Sequence, residues 1–265
     1  QAIYGWVISS FLLFIVALVF KYHPFKEVKL EDSEISMKTI FLYSMPIMLA
    51  SIYGMGTRSA DQFFISRYFG EEVFAVYANG KLQLPFVAMI TGAVATVVAP
   101  IFSKLAFEGG NKKEISDLWS RSLLRSATMT YPLVLFFIFY AKEIFVLMYG
   151  DGYVESGLYF IIFSLISFFQ VIVFAPLVLG LGLTKFYSRI HLIEFIAIWV
   201  LGYFAIKLFE SPYAIITVAV LLTIVKTLVS LLFVSKKLEL AFFEMLPVIK
   251  LLKYVIHGFV ILVFI

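Results

Sequence analysis

The sequence contains no cysteine. That absence excludes a disulfide framework, a thiolate metal site and a thiol nucleophile. Charge is scarce as well: Asp, Glu, Lys and Arg make up 14% of the 265 residues, against roughly 25% in soluble domains. Histidine occurs only at His23, His191 and His257, scattered positions that read as interfacial or core residues rather than a ligand cluster. No Walker-type phosphate loop, zinc-ligand cluster or nucleophile elbow is present. The apolar stretches are continuous rather than alternating with polar residues, which excludes a membrane β-barrel.

What the chain does have is apolar surface. Hydrophobic residues reach 62% and Phe alone occurs 30 times, with a mean hydropathy of +1.01. Burial is limited by chain length, so a globule of this size cannot hide that much from water. The surplus must face lipid, and the expected architecture is all-α, a polytopic transmembrane helix bundle with membrane lipids as its surroundings. A soluble enzyme, a disordered chain and a stapled secreted domain are excluded together. The net charge of +4 records Lys and Arg held in cytoplasmic loops, and no nucleic-acid partner is expected.

A membrane helix needs about 20 mainly apolar residues. On that template eight spans are expected, at residues 2–20, 40–66, 74–105, 123–141, 156–183, 190–206, 213–234 and from 251 onward. The third is long for one crossing, and Pro85 or Pro100 is placed to bend it. Pro46, Pro132 and Pro176 interrupt three others. One set of connectors carries fifteen Lys and Arg residues and the alternate set three, Arg67, Lys142 and Lys207. That bias puts the first set in the cytoplasm. Residue 1 is Gln and the chain stops at Ile265 inside an apolar run, so it reads as part of a longer protein. The first run has no basic region before it and no small-residue cleavage site after it, unlike a signal peptide.

The connector at residues 21–39 mixes Glu27, Glu31, Asp32 and Glu34 with lysines and reads as a cytoplasmic linker between two bundles. Asn111 with Glu114, after Gly109-Gly110, has capping-box spacing. Ile115, Leu118, Trp119 and Leu123 then share one face, predicting an interfacial helix; residues 238–246 read as a second. Either could dock a partner or anchor to the membrane.

Charges inside spans are costly and face a bundle interior or a watery cavity. Ser51, Gly54, Arg58, Asp61 and Gln62 fall on one stripe of the second span. Arg58 and Asp61 are three apart, close enough to pair. Arg58 is placed roughly 24 Å along its helix, and Lys81 on the returning helix at similar depth. Asn79 and Gln83 share that third span, but Lys81 sits on its other side, so a continuous helix cannot aim all three into one cavity. Lys81 either joins the cluster or snorkels to the headgroups. Nearer the cytoplasm, Lys226 lies roughly 14 Å and Glu194 roughly 8 Å from the inner ends of their spans. They form either a structural ion pair or part of a transport path. Basic groups at two levels suit a substrate with an anionic head that must cross.

Certain stretches look familiar. Ser44-Met45-Pro46-Ile47-Met48-Leu49-Ala50-Ser51, then Asp61, Gly70 and Tyr77-Ala78, resemble the opening of the second lobe in polysaccharide flippases. Tyr140-Ala141-Lys142-Glu143-Ile144 and Leu147-Met148-Tyr149-Gly150-Asp151-Gly152-Tyr153 resemble that family's outer turn after its ninth helix. These flippases form the O-antigen and capsular-repeat branch of the multidrug/oligosaccharidyl-lipid/polysaccharide exporter superfamily, and the resemblance is best over residues 38–185. It implies two pseudo-symmetric lobes and a central cavity that opens alternately to each side. On that scheme residues 1–20 are the last helix of the N-terminal lobe, 21–39 the interlobe linker and 40–265 a C-terminal lobe incomplete at its end.

The function this implies is transport, with no bond made or broken. A lipid-linked oligosaccharide on undecaprenyl pyrophosphate would be flipped across the bacterial cytoplasmic membrane, with polysaccharide assembly proteins as associates. The candidate cavity residues are Arg58, Asp61, Gln62, Asn79, Lys81, Gln83, Glu194 and Lys226. No cofactor is expected; proton or sodium coupling is implied by the family, with Asp61 as its carrier. A cation-coupled multidrug exporter is the second reading. A membrane-embedded glycosyl- or acyltransferase using Glu194 with His191 is the third.

Overall fold

Backbone amides in lipid must be satisfied within their own segment, so long apolar runs have little choice but helix. The computed structural model describes residues 2–22, 35–108 and 112–264, and these are helical with short connections. Among them, eight helical segments are long and apolar enough to cross a membrane. The chain is a multi-pass transmembrane helix bundle with no strand among the described residues. It divides into two units, residues 1–41 and 42–265. The first holds α1 (Ala2–Tyr22), whose 21 residues reach about 31 Å, a full crossing. Most of the expected linker, residues 23–34, lies outside the described residues, as does the Asn111 capping position.

Helix α2 (Met37–Gly80) would run about 66 Å if its 44 residues were straight. It is not straight: Gly70 takes φ 85° and ψ 178°, a left-handed conformation that strains any residue with a Cβ. The chain reverses there. Sixteen residues of straight helix would separate Asp61 from Tyr77 by about 24 Å, yet the Tyr77 hydroxyl donates to Asp61 Oδ2 at 2.6 Å.

The expected single helix over 74–105 is corrected by the structure. The returning arm ends at Gly80, residues 81–84 are non-helical, and α3 (Pro85–Phe107) restarts with proline in its first turn. Pro85 has no N–H to donate and disfavours helix at Leu84, whose ψ is 111°. Pro100, by contrast, sits inside an unbroken α3.

The remaining elements are α4 (Lys112–Phe139), α5 (Ala141–Tyr149), a one-turn 3₁₀ helix at Asp151–Tyr153, α6 (Val154–Gln170), α7 (Phe174–Gly180), α8 (Thr184–Phe209), α9 (Pro212–Leu238), α10 (Phe242–Met245) and α11 (Val248–Val263). The expected span 156–183 is thus also two helices, α6 and α7, around a break at 171–173. Packing pairs α8 with α9, α4 with α11, α3 with α7, and α6 with both α5 and α9.

The expected helix leading into the fourth span is the start of α4, and residues 238–246 hold the four-residue α10. Ile115, Trp119 and Leu123 belong to α4 and are 2–3% exposed, in a core with Phe102, Leu177 and Leu231. The Trp119 indole N–H donates to the carbonyl of Met245 at 2.8 Å. That bond fastens α10 to α4, so this apolar face meets protein instead of lipid. A second core joins Phe64, Ile65 and Tyr77 of α2 to Tyr159, Ile206, Ile215 and Ile216. It holds the α2 hairpin against α6, α8 and α9. Gly80 permits the closest approach there: a Cβ on it would sit 2.5 Å from the carbonyl oxygen of Ser156.

Candidate functional site

A cavity of about 600 Å³ opens between α2, α6, α8, α9 and the break at 81–84. Seven of the eight candidate residues line it: Arg58, Asp61, Gln62, Lys81, Gln83, Glu194 and Lys226. Asn79 does not. The limit expected from helical geometry is lifted because the helix ends at Gly80. Lys81 and Gln83 therefore leave from irregular backbone and line the same cavity.

The α2 reversal builds the first charge cluster. Lys81 Nζ lies 2.7 Å from Asp61 Oδ2 and 2.8 Å from Oδ1, and it donates to the carbonyl of Arg58 at 3.2 Å. Asp61 also accepts from the Tyr77 hydroxyl and from the backbone N–H of Gln62 at 2.8 Å. Its side chain is 4% exposed and that of Lys81 is 14% exposed, so Lys81 points inward and does not snorkel. The expected Arg58–Asp61 pair is replaced by Lys81–Asp61. The Arg58 guanidinium makes no ion pair or hydrogen bond with the described residues and lies open on the cavity wall.

The second cluster lies on α8 and α9. Lys226 Nζ is 2.8 Å from Glu194 Oε2, with side chains 14% and 3% exposed. Thr223 Oγ1 lies 3.3 Å from Glu194 Oε1. His191 Nδ1 is 3.8 Å from Glu194 Oε2, and neither of its ring nitrogens has a hydrogen-bond partner. The His191 ring stands edge-on to Tyr187, with centroids 4.6 Å apart.

Sequence reasoning missed Gln170, Tyr187, His191 and Thr223 as cavity residues. Gln170 carried a usable signal, a lone amide within a long apolar run beside the point where α6 ends. Non-helical backbone at membrane depth survives only where protein covers it or a cavity wets it, and broken helices mark transporter binding sites. Both breaks meet this condition: Gln83 and Val173 border cavities. Among the described residues no group of three His, Asp or Glu side chains is arranged to hold a metal ion.

The cavity thus offers one open guanidinium, two lysines each held by an acid, and amides from Gln62, Gln83 and Gln170. It can take an anionic group beside neutral polar ones. No curated protein and no solved structure matches the chain. A family model described as "Polysaccharide biosynthesis protein" matches residues 2–158, a stretch that includes Arg58, Asp61 and Lys81.

Proposed function

The chain belongs to the polysaccharide biosynthesis protein family, and we propose that it works there as a flippase. It moves undecaprenyl-pyrophosphate-linked oligosaccharide repeats from the cytoplasmic to the periplasmic leaflet of the bacterial inner membrane, for O-antigen, capsule or exopolysaccharide assembly. The observation that carries this reading is the open Arg58 guanidinium in a cavity whose two lysines are already neutralised. A planar guanidinium holds pyrophosphate oxygens through paired hydrogen bonds. Lys81 sits within reach of the Arg58 backbone, so it can turn from Asp61 to the same anion. The carboxylates Asp61 and Glu194 are both committed to lysines, which favours an anionic substrate over a cationic drug. Asp61 is the group through which proton or sodium coupling would act, since it is a cavity carboxylate that holds Lys81.

The test uses the protein as the cell makes it, in cells that depend on it for surface polysaccharide. Arg58→Ala and Lys81→Ala should each cut export and leave lipid-linked repeats accumulated facing the cytoplasm. Normal export by both variants at normal protein levels would overturn the cationic-cavity reading. Loss of the lipid–sugar linkage itself would point to a transferase.

A further inference from the structure

A second chamber of about 360 Å³ adjoins the charged cavity. The two share Gln83, Phe163, Ile166 and Gln170. Its size falls within the range of small-ligand clefts, about 300–1,000 Å³. Its chemistry differs from that of its neighbour: none of the described residues lining it is charged, and its polar groups are the amides of Gln83 and Gln170 and the hydroxyls of Thr91, Ser164 and Ser167.

Ser164 is the informative residue. A serine inside a helix ordinarily turns its hydroxyl back to the carbonyl one turn earlier. Other hydroxyls in the spans do so, with Thr57 donating to Tyr53 at 2.9 Å, Ser126 to Ser122 at 3.0 Å and Ser230 to Lys226 at 2.8 Å. Ser164 is only 2% exposed, yet its Oγ has no partner at all. A buried hydroxyl without a partner is costly, and this one borders the chamber. Ser167 and Gln170 follow at three-residue steps along α6, so the polar groups form a row leading to the shared mouth. The Thr91 hydroxyl already donates to the Val87 carbonyl at 2.8 Å, but a hydrocarbon tail would offer no partner to Ser164, Ser167, Gln83 or Gln170.

We infer that this neutral chamber is the subsite for the sugar next to the anionic head, with Ser164, Ser167, Gln83 and Gln170 hydrogen-bonding its hydroxyls and Phe163 packing against its ring. This rests on the flippase reading, because it takes the charged cavity as the seat of the pyrophosphate. Amides and hydroxyls both donate and accept, which suits sugar hydroxyls of either orientation. None of the described lining residues offers a charge to neutralise a second phosphate here.

The experiment compares two probes on protein reconstituted in nanodiscs: undecaprenyl pyrophosphate alone, and the lipid-linked oligosaccharide extracted from cells in which the gene is deleted. Wild type should bind the oligosaccharide-bearing lipid more tightly. Ser164→Val with Ser167→Ala, two residues that line only the neutral chamber, should weaken that binding about tenfold, as expected for one or two lost hydrogen bonds, and leave binding of the bare lipid unchanged. Unchanged bare-lipid binding also shows that the variant is folded. Equal weakening for both probes would mean the chamber holds the isoprenoid or serves only the fold, and would overturn the subsite. So would a wild type that does not distinguish the probes, while leaving the flippase reading standing. A wild type that binds neither probe overturns both.

Discussion

Lys226 Nζ lies 2.8 Å from Glu194 Oε2, and the two residues come from adjacent helices, α9 and α8. The contact ties these helices at a level where either charge alone would be stranded away from water. Breaking a buried pair by removing one partner typically costs about 3–5 kcal/mol, whereas replacing both with apolar residues is near neutral. Glu194→Leu and Lys226→Met should therefore each lower thermal stability strongly, and the double variant should recover most of it. Unfolding in detergent monitored by circular dichroism measures this. Export by the stable double variant then separates the two roles that the sequence left open. Retained export means a structural pair, and lost export means that Lys226 meets substrate.

Asp61 should respond in steps. Tyr77→Phe removes one hydrogen bond to its carboxylate, a bond at 2.6 Å, and should cost about 1.5–3 kcal/mol because the acceptor is charged. Asp61→Asn removes the charge that neutralises Lys81 and should cost more. Lys81→Met leaves Asp61 with only Tyr77 and the Gln62 amide, and should be the most harmful of the three because the carboxylate is 4% exposed. The melting temperatures of the three variants should fall in that order. Any inversion between Tyr77→Phe and Lys81→Met would overturn the reading of Lys81 as the main partner of the Asp61 carboxylate.

The number of spans and their order were legible because membrane crossing is a matter of length and hydropathy, which one-dimensional counting captures. The depth match between Arg58 and Lys81 was legible for the same reason, since rise per residue is fixed. The partner of Asp61 was not. Spacing favoured Arg58, three residues away, but the reversal at Gly70 brings Lys81 from 20 residues further on. The breaks at 81–84 and 171–173 were also hidden. Leu82, Leu84, Val171, Ile172 and Val173 keep the hydropathy of a span, and the backbone there is satisfied locally, as in the bond from the Leu82 N–H to the Asn79 carbonyl at 3.2 Å. Nor could periodicity tell that Ile115 and Trp119 face protein, because lipid and a protein core select the same residues.

Gly80 should tolerate no side chain. A Cβ would lie 2.5 Å from the Ser156 carbonyl oxygen and 2.6 Å from Tyr159 Cβ, and neither is the movable end of a flexible side chain. The nearby Ser156 hydroxyl donates to the carbonyl of Val76 at 2.7 Å, which locks α6 against the returning arm of α2. Gly80→Ala should cost about 1–3 kcal/mol, the usual range for overpacking. It should also push Lys81 away from Asp61. Gly92→Ala, in the interior of α3 with nothing within 4 Å, is the control and should keep or slightly raise the melting temperature.

Outside the spans, Lys112 at the start of α4 pairs with Glu239 at the end of α9 at 2.5 Å. The hydrogen bond from Lys112, followed by its charge, holds the Glu239 carboxyl below its ordinary value of 4.5. A carboxyl with a lowered folded-state pKa contributes stability that is fully present above 4.5 and is lost as pH falls through the lower, folded-state value. Stability from this clasp should therefore be flat from neutral pH to about 5 and decline below 4.5. Glu239→Gln should remove that part of the acid dependence. Both side chains are exposed, 49% for Lys112 and 79% for Glu239, so water and salt screen the pair. The difference between wild type and Glu239→Gln at pH 7 should accordingly be small in dilute buffer and vanish at about 1 M salt, where the screening length is about 3 Å. Melting curves at pH 7 and pH 4, each at low and high salt, supply the comparison. A difference that survives high salt would mean that the Glu239 side chain acts through something other than its charge.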